Sequence, residues 1–88
     1  RLSRALLTAC IHEDPSFSSP YLHLGEWYLQ RRATVGNDDE RGEAGNLARV
    51  CLLVAMILEG KKKSRIKTRA KDLHKKLELQ CQSEGEEI

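Results

Sequence analysis

The sequence of 88 residues predicts an all-α domain: four helices stacked as antiparallel hairpins, arranged as a short α-solenoid segment or a small four-helix bundle, with the last helix as a cap. Three observations carry this expectation. An amphipathic run halts at Asp14-Pro15, and a second one begins within a few residues. That second run places Tyr21, Leu24, Gly25 and Tyr28 at i, i+3, i+4 and i+7, a thin helix face suited to close packing. A final run spaces Ile66, Ala70, Leu73, Leu77 and Cys81 by three or four residues, with charged residues around the remaining faces.

The first helix is read over Leu2 to Ile11, with Leu2, Ala5, Leu6, Ala9 and Cys10 on one face. Pro15 ends it, because proline disfavours helical geometry at Asp14 and cannot donate to the backbone ladder. Ser16, Ser18 and Ser19 offer oxygens to the bare amides of a new helix, and Pro20 suits its first turn. The second helix spans Pro20 to Arg32. Gly25 lies in its interior at a cost of about 1 kcal/mol against alanine, which a neighbouring helix passing too close for a side chain would explain. Residues Val35 to Gly42 read as a polar loop bounded by two glycines. The third helix, Glu43 to Glu59, is apolar on nearly all sides, which in so small a chain implies packing against both neighbours, or against missing parts of a parent protein or a partner. Gly60 is its stop. The fourth runs from Ser64 to Gln82. Residues 1–82 then form a single helical domain, and 83–88 an acidic tail expected to fray.

A chain of this length buries roughly 60–65% of its unfolded surface, leaving little room for an enclosed catalytic cleft. It starts at Arg1, which reads as a piece cut from a longer protein. Three cysteines, Cys10, Cys51 and Cys81, show no close pairing and fit reduced, buried thiols of a cytoplasmic or nuclear protein. The longest apolar stretch, Val50 to Leu58, is too short to span a membrane. His12, His23, His74 and the cysteines lack the paired short spacing of a zinc site. The acids Asp38, Asp39, Glu40 and Glu43 lack the alternating ligand spacing of a calcium loop and read as helix-start acids. His12-Glu13-Asp14 forms no His-Glu-x-x-His motif, and no serine or cysteine has a recognisable base partner. Neither an enzyme nor a cofactor is expected.

The junction resembles the tetratricopeptide repeat, a helix pair of about 34 residues that stacks into solenoids. Leu7 and Cys10 match the large and small positions late in such a repeat's second helix, and Asp14-Pro15 matches its terminal pair. Tyr21, Leu24, Gly25 and Tyr28 match the aromatic, Leu-Gly and Tyr positions of the next first helix, and Ala48, Leu52 and Ala55 its following small-large-small positions. Two departures stand against it. Tyr28 to Ala48 is about eleven residues too long for the repeat, implying an inserted loop around Gly36 to Gly42, and no Asp-Pro follows the third helix. The helix from Ser64 onward resembles the polar-backed helix that caps a solenoid. A narrower likeness links Leu24-Gly25-Glu26-Trp27 to the helical-repeat scaffold of phosphatidylinositol-3-kinase-related kinases, which would make the chain a purely structural segment.

The repeat resemblance implies a groove lined by Leu22, Glu26, Leu29 and Gln30, with Trp27 beside it. Because these are not the Lys, Arg and Asn that clamp a C-terminal carboxylate, the groove would favour an apolar or helical peptide. Each of the five also reads as ordinary helix surface or core. Between residues 61 and 76, nine basic residues face one acid, Asp72, although the whole chain carries only +2. Lys61, Lys62, Lys63, Arg65, Lys67, Arg69 and Lys71 read as a solvated face, a nuclear-import signal or a contact for an acidic partner. Phosphate binding is the rival, weakened by the absence of interleaved aromatics. The function expected is a protein–protein interaction or scaffold module that docks an apolar or amphipathic helix and can self-associate, with a nucleic-acid-associated module as the alternative.

Overall fold

The computed structural model describes residues 3–61 and 64–86, with the backbone alone for residue 81 and residues 83–86. Four helices are present: α1 (Arg4–Glu13), α2 (Ser19–Thr34), α3 (Asp38–Glu59) and α4 (Arg65–Glu86). Consecutive helices pack antiparallel, and no strand occurs among the described residues. The all-α fold read from the periodicity is therefore the observed one.

The helix ends follow local chemistry. Ser3 caps α1 by accepting from the Leu6 amide at 3.2 Å. The chain turns at Asp14, whose carboxylate accepts from the Ser16 amide at 3.1 Å and from its hydroxyl at 2.6 Å. Across the turn the Tyr21 hydroxyl donates to the Pro15 carbonyl at 3.1 Å. The serine cluster does not cap α2 as expected. Ser18 is itself helical in conformation and makes no side-chain cap bond, so its carbonyl receives the Tyr21 and Leu22 amides at 3.1 and 3.2 Å instead.

The polar loop is shorter than its composition implies. Only residues 35–37 separate α2 from α3. Asn37 accepts from the Asp39 amide at 2.8 Å, and Asp38, Asp39 and Glu40 occupy the first turn, where the helix dipole favours negative charge. Gly42 therefore lies inside α3, and the extra length between Tyr28 and Ala48 is helix rather than an inserted loop. Gly60, at φ 63°, ends α3 by donating to the Met56 and Ile57 carbonyls. Ser64 caps α4 through the Lys67 amide at 3.1 Å, and the Lys67 ammonium donates back to the Gly60 carbonyl.

The core sits where α2, α3 and α4 meet. Leu22, Leu52, Ala55, Ala70 and Leu73 form it, flanked by Tyr21, Leu29, Met56 and Ile66. Gly25 sets the α2–α3 approach: a Cβ there would lie 2.7 Å from Leu52 Cδ2 and 2.8 Å from its Cγ. The close approach expected of this glycine is thus present, and the neighbour is α3. A second crossing is filled from α2 by Arg32, buried with its guanidinium donating to Gln80 at 3.0 Å. A Cβ at Gly45 would come within 3.3 Å of that guanidinium.

Among the described residues α1 packs on α2 alone, so the four helices do not close into a bundle. The residue α1 buries is Leu7, 2% exposed, whereas Ala5, Leu6, Ala9 and Cys10 are exposed. The face read from periodicity was rotated toward the wrong side, because one neighbour touches α1 along a narrow line. Leu2 lies outside the described residues.

Candidate functional site

α4 decides what becomes of the residues expected to line a groove. Its stripe of Ala70, Leu73 and Leu77 is fully or nearly fully buried across both α2 and α3. Leu22 is consequently core, 7% exposed, and Leu29 packs half-buried against the same cluster. Glu26 accepts from Arg69 of α4 at 3.1 Å. Gln30 stays exposed. Trp27 is half-buried, edge-on to Tyr28 at 5.1 Å, with Arg4 and Arg31 over its ring at 5.8 and 5.9 Å. The expected groove on the α2 surface is therefore occupied by the chain's own last helix. Leu22 is corrected to a core position, because the apolar stripe of α4 packs on the same surface, and Leu29 stays half-buried beside it.

An open cleft of about 630 Å³ remains where the first turns of α4 meet α2, lined by Leu22, Ile66, Thr68 and Asp72, with Arg65 and Arg69 at its rim. The basic run supplies that rim and little else in common. Lys67 is committed to the C-terminus of α3 and Arg69 to Glu26. Lys71, Lys75, Lys76 and Lys61 are exposed at separate points around α4 and the turn before it. Lys62 and Lys63 lie outside the described residues. On the far side of α4, Glu78 accepts from Arg49 at 2.7 Å, tying α3 to α4.

The most conspicuous surface is on α3, where the sequence expects burial on more than one side. Ala44, Gly45, Ala48, Leu52 and Ala55 are buried against α2 and α4. The opposite face is open: Leu47, Val50, Leu53, Ile57 and Leu58 are exposed, Val50 by 56% and Ile57 by 74%, with Val54 half-buried among them. Single exposed apolar residues are ordinary, but here five fall on one face of one helix. At its N-terminal end this face borders a small recess lined by Arg4, Tyr28, Arg31, Glu40, Glu43 and Leu47. Sequence periodicity could not find the face, since a helix apolar all round has no side marked as outward.

The thiols differ in environment. Cys10 is exposed and not buried as its apolar neighbours implied, whereas burial pushes the Cys51 thiol above its usual pKa. The side chain of Cys81 lies outside the described residues. Among the described residues no three His, Cys, Asp or Glu side chains converge as a metal site, and no helix is long and apolar enough to cross a membrane. Comparison with protein-family models, curated proteins and solved structures finds no match for the chain. The tetratricopeptide likeness accordingly has no family support beyond the junction residues themselves.

Proposed function

We propose that this domain is a protein–protein interaction module that docks an apolar or amphipathic helix. The observation supporting it is the open face of α3: five large apolar side chains held on a rigid helix whose other side is anchored in the core. Such a face offers anchors at helical spacing, the form in which an amphipathic partner helix is read. A partner would remove that area from water at roughly 25 cal/mol per Å² before the costs of association are subtracted. The repeat-like helix pairing fits the same use, since stacked helix pairs present their faces to neighbouring helices.

The test is a titration with a fluorescent model peptide that forms an amphipathic helix, leucine on one face and alternating charge on the other. The expected result is binding that changes little with salt and is lost in a Val50→Ser/Ile57→Ser variant of unchanged far-UV circular dichroism. Peptide binding that this variant leaves intact, or none at all, would remove the reading. Retention of nucleic acid released by modest salt would transfer the function to the basic residues of α4.

A further inference from the structure

We infer that the helix docked on α3 is a second copy of α3, paired antiparallel about a two-fold axis; this rests on the interaction-module reading above and names its partner. The apolar positions Leu47, Val50, Val54 and Ile57 are spaced three, four and three residues apart, the seam along which two helices interlock. Leu53 and Leu58 widen that seam and are exposed as well.

The polar residues at the two ends fix the orientation. The N-terminal end of the face carries Asp39 and Glu43, both exposed, and the C-terminal end is followed by exposed Lys61. Turning α3 end for end about an axis between Val50 and Val54 sets Val50 against Val54 of the second copy, Leu47 against Ile57, and Glu43 against Lys61. Every pair then occurs twice, as a two-fold interface requires. A parallel arrangement would instead place Glu43 beside Glu43 and Lys61 beside Lys61. Antiparallel pairing also lays opposite helix dipoles side by side.

Among the described residues no ion pair holds Glu43 or Lys61. Arg4 and Arg31 face the recess beside Glu43 from α1 and α2, and they also stand over the Trp27 ring.

Sedimentation velocity of the full 88-residue chain, from about 1 μM to about 1 mM, tests the inference. A monomer–dimer equilibrium is expected, abolished by Val50→Glu. Glu43→Lys and Lys61→Glu should each weaken the dimer roughly tenfold, because each change acts at two symmetry-related pairs, while the double variant regains most of the loss. Carbodiimide cross-linking of mixed ¹⁴N- and ¹⁵N-labelled protein should join Glu43 of one copy to Lys61 of the other. A monomer throughout, a dimer indifferent to Val50→Glu, or charge reversals that do not rescue one another would overturn the pairing. A monomer that still binds the model helix through Val50 and Ile57 overturns only the second-copy partner. A monomer that binds no helix removes the interaction-module reading with it.

Discussion

Replacing Gly25 with alanine sets two effects of known sign against each other. Alanine is favoured over glycine in a helix interior by about 1 kcal/mol, and Gly25 lies well inside α2. Against that, the new methyl would meet Leu52 at 2.7 and 2.8 Å, and Leu52 is fully buried. The nearer atom is the end of a side chain, but the other is its branch point, so relief needs a rotation of the whole isobutyl group. Ala48 and Ala55, both wholly buried on the same face of α3, leave little space for it. Overpacking of this kind costs about 1–3 kcal/mol, giving a net loss of about 1 kcal/mol for Gly25→Ala. In a chain of this size that lowers Tm by roughly 4–8 °C. Gly42→Ala is the internal control, because nothing lies within 4 Å of the added Cβ and only the helix-propensity gain should appear. The decisive measurement is a double-mutant cycle followed by urea unfolding at 222 nm. Leu52→Ala alone should cost about 2–5 kcal/mol. On that background Gly25→Ala should turn stabilising, a coupling of about 1–3 kcal/mol. If Gly25→Ala stabilises the parent as Gly42→Ala does, or the cycle is additive, the close approach of α2 to α3 is not what Gly25 serves.

Four further outcomes are expected. Ser64→Ala removes both the acceptor for the Lys67 amide and the donor to Glu59, and should cost about 1 kcal/mol in urea melts, whereas Ser64→Asp restores the acceptor but sets a second carboxylate against Glu59 and should regain only part of the loss. Gly45→Ala pushes a methyl to 3.3 Å from the buried Arg32 guanidinium, so it should stabilise less than Gly42→Ala, and Arg32→Ala should erase that difference in the same melts. At pH 8 Cys10 should react with a charged aromatic disulfide well before Cys51, read by peptide mapping, because burial raises the pKa of the Cys51 thiol above its ordinary value and shields it. The same shift fixes the sign of a stability effect. The unfolded thiol loses its proton first as pH rises, so the contribution from Cys51 is complete below about pH 9 and is lost as pH climbs through the folded value. Cys51→Ser should flatten that alkaline limb.

Where the chain must break, and which face of α4 must be covered, follow from the order of residues alone. Pro15 and Gly60 end helices for backbone reasons that no tertiary contact alters, and the spacing of Ile66, Ala70, Leu73 and Leu77 leaves one stripe to bury. Gly25 was legible too, because a glycine inside an aromatic-lined helix calls for a close neighbour. Which surface covers which follows only from the packed helices. Periodicity records that residues share a side, not what lies opposite, so it could not say that α4 would take the α2 surface around Leu22. Nor could it foresee that α1 would bury Leu7 and leave Leu6 outside. The start of α3 escaped for another reason: Asn37 and three acids look like a loop in composition, and only a cap in place makes them a first turn. An uncovered face on α3 was legible as a surplus of apolar residues, but not which face it would be. Its residues are apolar on every side, and the side facing water was set by the two helices that pack against it, α2 and α4.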